Sequence, residues 1–418
     1  MNCEIITIGN ELTSGRTLDL NSWHAAGKLI SLGLCVTRIT SVGDNYKMVS
    51  EALTKAIDTS RFVVITGGLG CTDDDKTNKI VAKALKRPLS LNKLLFEQIK
   101  SHAESRGTVL TPSLEKMAWI PEGSRILNPQ GAICGFSIIE KDTRLYFLPG
   151  VPDQMRHIMD KYVLPEILSL YETLPVMQQR VLKLYGLDEP RIAEILNELK
   201  GKTGDIIFGF YPSFPENHIT LSLWGKNDPA FTKQLGRVEK EIRHLIGSYI
   251  FATDDQTMEE VVGHTLKKKN MTISIAESCT GGLIGHKLTN VSGSSKYFSG
   301  GVVAYSNQSK VDLLHVSTKT LENHGAVSDK TVQEMARGVK KYINTDLGLA
   351  VTGIAGPDGG TKDKPVGTVH IGLAAGENIF SEKYRFWGTR EQVKLNSAIM
   401  ALDSVRRHLN EDSFLPGI

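Results

Sequence analysis

Short runs of β-branched and aromatic residues alternate with helical patterns along most of this chain, and this alternation constrains the fold more than any other feature. In the first 165 residues, apolar runs such as FVVIT at 62–66 are separated by amphipathic segments such as 46–59. A continuously apolar strand is buried on both faces, which is typical of a parallel sheet with helices on either side. The pattern therefore predicts an α/β fold.

Residues 173–250 follow a different pattern. The runs at 205–212 and 217–225 alternate polar and apolar residues, as antiparallel strands do. From about residue 257 the strand–helix alternation resumes. We therefore predict two α/β domains with mainly parallel sheets, joined by a small α+β domain, with bounds at 1–170, 171–252 and 253–418. The length of 418 residues agrees with two or three domains.

Charge and cysteine usage exclude several classes of function. The formal net charge is only +3, so binding of polyanions through a strongly basic surface is not expected. The five cysteines, Cys134 among them, are scattered and never spaced as C-x-x-C, which argues against a disulfide framework and a thiolate zinc site. The first residues lack the pattern of a signal peptide, and no apolar run approaches the ~18 residues of a membrane span. We expect a cytoplasmic protein that has no membrane partner.

Glycine-containing turns follow several of the predicted strands. The strand at 62–66 runs into GGLGCTDDDKT at 67–77, and glycines at the carboxyl edge of a parallel sheet let the backbone approach a ligand closely. Amides there can hold a phosphate, which the consecutive aspartates would repel unless a divalent cation lay between them. The segment predicts a metal-dependent phosphate or pyrophosphate site, and the structural alternative is a solvated acidic helix cap. Further turns at 9–21, 128–136 and 148–155 are expected at the same edge.

In the last domain, a predicted strand delivers Ser278 and Thr280 to a turn before Gly281 and Gly282 open a helix. This is the setting of a nucleophile elbow, although the GxSxG pattern is absent. Unpaired amides at such a helix start can stabilise an oxyanion or hold a phosphate, whereas the structural alternative makes either side chain only a helix cap. Cys279 is a competing nucleophile, because a thiolate at a helix N-terminus is activated, and we rank it below Ser278.

A serine nucleophile needs a base. None of the histidines in this domain has a sequence context that marks it for that role. Tyr305 and Lys310 follow the next predicted strand, and a Ser-Lys dyad is a known variant of the catalytic triad. The lysine must be neutral, so its pKa has to fall by roughly three units from ~10.4. The alternative is a solvated surface lysine. A glycine-rich loop at 351–368 suits close backbone contact with a ribose or phosphate.

These motifs together resemble the CinA family of bacterial competence/damage-inducible proteins, over the whole chain. Residues 1 to about 165 are similar to molybdopterin-binding-type domains in GNELTSG, GGLGCTDDDKT and LPGVP. The middle segment resembles a KH-type α+β unit. From about residue 257, the motifs AESCTGG, VVAYSNQSK, HGAVS and VTGIAGPDGGTKDKPVGT resemble the nicotinamide mononucleotide deamidase domain, and these are the most specific of the matches.

The resemblance implies that the last domain hydrolyses the carboxamide of nicotinamide mononucleotide in pyridine nucleotide recycling. The products would be nicotinic acid mononucleotide and ammonia, and no cofactor would be needed. The dyad maps onto Ser278 and Lys310, with Tyr305 beside them. The residues expected to bind the substrate are Thr280, Gly281, Gly282, Gly353, Gly356 and Arg390.

For the first domain, the resemblance implies an ADP-ribose pyrophosphatase that yields AMP and ribose 5-phosphate. It would depend on potassium and on a divalent metal, cobalt or magnesium. The sequence departs from the family pattern at Cys71, at 128–134 and at Gln154, where proline, a Thr-Ala-Pro stretch and glutamate are usual. These departures surround the pyrophosphatase site. The candidate metal ligands are Asp73, Asp74 and Asp75, and the residues expected at the phosphates are Gly67, Gly68, Gly70 and Thr72.

Two other functions stay open at this point. The fold of the first domain would also permit binding or transfer of molybdopterin. The middle segment contains GKTG at 201–204, which matches the GxxG loop of RNA-binding KH modules. That loop precedes a strand here and no dense basic or aromatic face accompanies it, so nucleic acid is not an expected partner. By analogy with the family we expect a homodimer whose ligands are small nucleotides.

Overall fold

A computed structural model describes residues 2–131, 135–171, 176–199, 201, 203–225 and 229–415. Cys134 and Lys202 therefore lie outside the described residues. The chain divides into two compact units, of which the first takes the residues up to Gln178 and the second nearly all residues from Gln179 onwards. The middle segment thus clusters with the last α/β segment. The domain bounds at 170 and 252 stay predictions.

In the first unit, helices and strands alternate as the sequence pattern predicts. The strands are β1 (Asn2–Ile8), β2 (Cys35–Val42), β3 (Phe62–Thr66), β4 (Leu89–Leu91), β5 (Trp119–Pro121), β6 (Arg125–Ile126), β7 (Phe136–Glu140) and β8 (Thr143–Leu148). The helices are α1 (Asn10–Thr13), α2 (Leu20–Ser31), α3 (Tyr46–Thr59), α4 (Thr77–Ala84), α5 (Lys93–Ser105), α6 (Pro112–Glu115), α7 (Pro152–Ile158) and α8 (Leu164–Ser169).

The main sheet of this unit has the strand order β2-β1-β3-β8-β7-β6. The first four strands in this order are parallel to one another. At the other edge, β7 is antiparallel to β8, and β6 is antiparallel to β7. Strand β3 is buried along its whole length: Val63 and Ile65 pack into one apolar cluster, and Phe62 and Val64 into another on the opposite face. The carboxyl ends of β1, β3 and β8 consequently meet at one edge, where the glycine loop follows β3.

The middle segment has a β-α-β-β-α-β order. Its elements are β9 (Val176–Leu184), α9 (Glu189–Asn197), β10 (Ile207–Ser213), β11 (Glu216–Gly225), α10 (Pro229–Ile246) and β12 (Ile250–Thr253). The sheet order is β10-β11-β9-β12, in which β10 is antiparallel to β11 and β12 to β9. This is the small α+β unit that the alternating runs predict.

The last segment returns to α/β order. Its strands are β13 (Ile273–Glu277), β14 (Phe298–Val303), β15 (Leu347–Gly353), β16 (Thr368–Ala375) and β17 (Asn378–Arg385). Its helices are α11 (Met258–Lys269), α12 (Leu283–Thr289), α13 (Asn307–Leu314), α14 (Thr318–His324), α15 (Asp329–Ile343) and α16 (Arg390–Leu409).

The sheet of the last segment has the order β14-β13-β15-β16-β17. Strands β14, β13 and β15 are parallel, and β16 and β17 are antiparallel to their neighbours. The reason is the connections: no helix crosses over between β15 and β16, and only two residues join β16 to β17, which suffices for an antiparallel pair alone. The predicted fold class is confirmed, with a mixed rather than wholly parallel sheet here.

Among the described residues, no helix combines enough length with enough apolar character to span a membrane.

Candidate functional site

Ser278 lies in a sharp turn between β13 and α12. Its backbone N–H donates to the Val351 carbonyl of the neighbouring strand β15 at 3.0 Å, which carries the strand pairing one residue past β13. Gly281 and Gly282 then take φ values of 62° and 95°, the left-handed region that favours glycine. The two glycines explain how the chain turns from strand to helix directly after Ser278.

Lys310 brings an amine to this serine. It is the fourth residue of α13, only 1 % of its surface is exposed, and its Nζ lies 3.1 Å from Ser278 Oγ. Nζ also donates to the Ala304 carbonyl at 2.8 Å. Burial lowers the pKa of this lysine below its ordinary value. The sequence left a solvated surface lysine open as the alternative, and the burial of Lys310 rules it out.

The side chain of Glu277 binds the backbone amides at the start of α12. Its buried carboxylate accepts hydrogen bonds from the amides of Gly282, Ile284 and Gly285, at 3.0, 3.1 and 2.9 Å. The expectation that the first amides of α12 are unpaired is therefore wrong for these three. Neither Ser278 nor Thr280 caps the helix, because Gly282 is the N-cap residue and the Glu277 carboxylate accepts the hydrogen bonds at this helix start.

The amides that stay available lie nearer to the serine. Within the described residues, the backbone N–H groups of Cys279 and Thr280 donate to no protein acceptor, and the buried Thr280 Oγ1 has no partner either. The N–H of the residue that follows a nucleophile is a common donor to an oxyanion. These groups directly follow Ser278 in the chain and are the candidate donors to a developing negative charge.

Cys279 does not have the properties of a nucleophile. Only 6 % of its surface is exposed, and burial raises the pKa of its thiol to about 12. A buried thiol with a raised pKa is protonated at neutral pH and unreactive. The environment of this cysteine therefore supports ranking it below Ser278.

Arg390 connects the other predicted residues of this site. It is the first residue of α16, and its guanidinium donates to the Gly356 carbonyl at 2.6 Å and to the Tyr305 hydroxyl at 2.8 Å. Tyr305 is 61 % exposed, and among the described residues it makes no hydrogen bond to Lys310. Gly353 ends β15, where a Cβ would meet Val369 and Thr368 of β16 at under 3.0 Å, so its lack of a side chain serves strand packing.

Lys394 is a residue of this site that the sequence analysis missed. A Cβ on Gly281 would lie 3.7 Å from its Nζ, which places the amine beside the turn after Ser278. The available signal was its spacing, since a residue four positions after Arg390 lies on the same face of the predicted helix.

A second candidate site surrounds the glycine loop of the first unit. The predicted phosphate-binding residues Gly67, Gly68, Gly70 and Thr72 line a cavity of about 510 Å³. A Cβ on Gly67 would lie 2.0 Å from the Ile8 carbonyl, so only glycine permits this close approach of β1 and the loop. Two of the three further turns meet here, because the Gly9 and Gly150 segments line the same cavity, whereas Asn128 and Gly131 of the 128–136 turn line a different one.

The three consecutive aspartates have different positions. Asp74 and Asp75 are among the lining residues of this cavity, whereas Asp73 is exposed and is not. Asp75 Oδ2 accepts hydrogen bonds from the Thr72 amide and hydroxyl, at 2.9 and 2.7 Å, and so closes the loop. Within the described residues, no group of three or more possible ligands is arranged closely enough to hold a metal ion as it stands.

Two further carboxylates of this cavity were missed by the sequence analysis. Glu11 follows β1 and Asp44 follows β2, and both line the cavity with Asp74 and Asp75. Burial is the main cause that raises the pKa of Asp44, and the Glu11, Asp74 and Asp75 carboxylates raise it further, against the hydrogen bond from the Asn10 amide. The signal for Asp44 was its place after a parallel strand of the same sheet.

Three sequence profiles match the chain. "CinA C-terminal domain" matches residues 255–409, "Probable molybdopterin binding domain" residues 4–169 and "Damage-inducible protein CinA KH domain" residues 179–252. A CinA-like protein of Desulfotalea psychrophila is 39% identical over 413 residues, which are 99% of this chain and 100% of the relative. A CinA-like protein of Dictyoglomus thermophilum is 40% identical over 413 residues, 98% and 99% of the two chains. The solved structure of competence/damage inducible protein CihA from Agrobacterium tumefaciens is 38% identical, covers 37% of this chain and 93% of its own, and has a TM-score of 0.36.

Proposed function

The chain belongs to the CinA family, and we propose that it hydrolyses two nucleotide substrates, the carboxamide of nicotinamide mononucleotide in the second unit and the pyrophosphate bond of ADP-ribose in the first. The observation that carries the deamidase proposal is the buried pair of Ser278 Oγ and Lys310 Nζ, 3.1 Å apart. This distance is within hydrogen-bond reach, as an activated nucleophile requires. The lowered pKa of Lys310 favours the neutral amine that can act as a base.

In the proposed reaction, Lys310 Nζ takes the proton of the Ser278 hydroxyl as Oγ attacks the carboxamide carbon. The carbonyl oxygen becomes an oxyanion, which the free amides of Cys279 and Thr280 receive. When the C–N bond breaks, the Lys310 ammonium returns the proton to the leaving nitrogen, which departs as ammonia and leaves an ester on Ser278. Water, deprotonated by the neutral Lys310, then attacks the ester, releases nicotinic acid mononucleotide and restores the serine.

The phosphate of the mononucleotide needs a cationic partner. Arg390 and Lys394 lie one turn apart at the start of α16, and both reach loops that border Ser278. Gly356 and Tyr305 are held by the same arginine, so its guanidinium fixes the loop after β15 while it presents charge to the site. We assign the phosphate to this pair of cations.

The deamidase proposal is tested by ammonia release from nicotinamide mononucleotide. We expect Ser278→Ala to abolish release, because the proposed attacking oxygen is removed, and Cys279→Ala to retain it, because the thiol is buried and its pKa is raised. Wild-type release by Ser278→Ala, or loss of release in a folded Cys279→Ala, would reverse the assignment.

For the first unit, the proposed divalent cation rests on the chemistry of the carboxylates that line the cavity, since no preformed ligand cluster is present among the described residues. Carboxylate oxygens are the ligands that hard cations such as magnesium prefer, and Glu11, Asp44, Asp74 and Asp75 bring four carboxylates around one glycine loop. The cation, magnesium or cobalt, would neutralise charge on the pyrophosphate, and potassium would assist in the same site. The loop amides from Gly68 to Cys71 are the groups of this chain that would orient the phosphates, since the amides of Gly67 and Thr72 already donate to the Leu148 carbonyl and to Asp75.

The pyrophosphatase proposal is tested by AMP formation from ADP-ribose with magnesium or cobalt. We expect chelation with EDTA to stop the reaction and Asp74→Asn to slow it by roughly tenfold or more, since one ligand charge is lost. Asp73→Asn is the matched control, because this neighbouring aspartate is outside the cavity lining. Equal rates in the two variants would contradict the proposed ligand set.

The match of residues 4–169 to the "Probable molybdopterin binding domain" profile favours one second candidate for the first unit. Under this alternative the cavity binds molybdopterin without cleaving a nucleotide. Tight binding of a pterin cofactor by a protein that forms no AMP from ADP-ribose would favour it.

A further inference from the structure

A second cavity adjoins the glycine loop of the first unit. Its volume is about 490 Å³, and it shares Gly68, Gly70 and Asp75 with the cavity at the phosphate-binding residues. Because the same three residues line both cavities, the two are neighbours on either side of the loop.

We call this second cavity the aromatic cavity, because the indole ring of Trp119 is part of its wall. Leu89 and Pro112 line it together with Trp119, which is 40 % exposed although it belongs to a strand. The indole N–H of Trp119 donates to a Glu115 carboxylate oxygen at 3.4 Å. One edge of the ring is thus held in place, and much of its surface stays available to a ligand.

Asn78 lines the same cavity and carries a buried hydrogen-bond acceptor. Its amide nitrogen donates to the Trp119 carbonyl at 3.0 Å, which fixes the orientation of the side chain. Its Oδ1 is then buried without a partner in the described part of the chain. A buried acceptor without a partner is costly, and a ligand that carries an N–H group would relieve that cost.

Two lysines border the aromatic cavity on the side of the glycine loop. Lys79 lines it from the first turn of α4, and Lys116 lines it while donating through Nζ to the Thr72 carbonyl. The Lys116 amine therefore lies at the glycine loop, whereas Glu115 and Asn78 lie beside the ring of Trp119. This arrangement matches a ligand with an anionic end and a flat end.

We propose that the aromatic cavity binds the nucleobase of a nucleoside diphosphate, a planar heterocycle with an amino group. The base stacks on Trp119, its amino group donates to Asn78 Oδ1, and its diphosphate lies on the glycine loop. This inference rests on the proposed pyrophosphatase function and assigns the base-recognition part of that site. A pterin is also a planar heterocycle with an amino group, so the experiment has to separate the two.

The test measures binding by isothermal titration calorimetry in the presence of magnesium, with ADP and with inorganic pyrophosphate as separate probes. We expect Trp119→Leu to weaken ADP binding roughly tenfold or more, because base–aromatic stacking is lost, and to leave pyrophosphate binding unchanged. Trp119→Phe should retain most of the ADP affinity. Trp23→Leu is the matched control, since Trp23 is a 71 % exposed tryptophan of the same unit.

Equal ADP affinity in wild type and a folded Trp119→Leu variant would overturn the proposal, and so would the absence of ADP binding by the wild type. Trp119-dependent binding of a free pterin in place of ADP would also overturn it, in favour of the other heterocycle. If ADP binding depends on Trp119 but ADP-ribose is not hydrolysed, the base site stands and only the pyrophosphatase proposal fails.

Discussion

Lys310 illustrates how the environment of one residue decides its chemistry. In water a lysine is protonated at neutral pH and cannot accept a proton. Within the second unit it is buried, its amine touches Ser278 Oγ and the Ala304 carbonyl, and burial lowers its pKa. The motif VVAYSNQSK places a lysine after a strand, but only the tertiary fold buries that lysine and brings its amine to Ser278 Oγ.

The lowered pKa of Lys310 leads to a prediction about pH. Because the neutral amine is the base, kcat/KM for deamidation should rise with pH through the pKa of Lys310 and reach its plateau below the ~10.4 of an ordinary lysine. Lys310→Met should abolish deamidation at every pH. Ammonia release measured from pH 5 to 10 checks both points, with the exposed Lys319→Met as control. A plateau reached only above pH 10 would count against Lys310 as the base.

At the scale of elements, the start of α12 depends on a carboxylate from the strand before it. Glu277 is 1 % exposed and accepts three amide hydrogen bonds from the first turn of the helix. An anion at a helix N-terminus is also stabilised by the helix dipole. The last residue of β13 therefore ties that strand to α12 and holds the intervening turn, including Ser278, in its shape.

The capping role of Glu277 can be tested by Glu277→Gln. The substitution puts an amide NH₂ group where an acceptor is needed, so at least one backbone N–H loses its partner and the negative charge is lost. We expect the free energy of unfolding to fall by about 1–3 kcal/mol. Urea denaturation followed by circular dichroism measures this change, and the exposed Glu322→Gln is the control. Equal midpoints for the two variants would contradict the cap.

At the scale of the whole molecule, the second unit joins its two segments through a buried ion cluster. Asp403 of α16 is fully buried and pairs with Arg406 and Arg407, at 2.7 Å each. Both guanidinium groups also donate to the Ser248 carbonyl next to β12. Tyr185 directly follows β9, and its hydroxyl donates a hydrogen bond to the Asn396 carbonyl at 3.1 Å. The middle and last segments therefore share one set of buried polar contacts.

The ion cluster gives a prediction for the stability of this unit. Asp403→Asn leaves two buried guanidinium groups without a counter-charge, so we expect a loss of about 3–5 kcal/mol in the free energy of unfolding. The middle and last segments should lose structure in one transition, since Ser248 belongs to the first of them. Hydrogen exchange of both segments checks this, with the exposed Asp412→Asn as control. Exchange in the last segment alone would argue that the two unfold separately.

The sequence predicts the fold well because element type is a local property. The runs FVVIT and LGLAVTG and the amphipathic stretches elsewhere set strand and helix through the two side-chain periodicities. The orientation of β16 and β17 was less evident, because it depends on connections rather than on the strands themselves. The homodimer and the cytoplasmic location stay predictions.

In the candidate sites, the features that the sequence predicts are those formed by residues close together along the chain. The sequence by itself determined that Ser278 and the glycine loop follow strands of α/β sheets, since glycine turns and strand patterns are short-range features. The tertiary structure decided that Lys310, 32 residues away, is buried against Ser278, that Glu277 occupies the first amides of α12, and that Glu11 and Asp44 join the aspartates. Burial and the distance between remote side chains arise only when separate elements pack, and no local pattern encodes them.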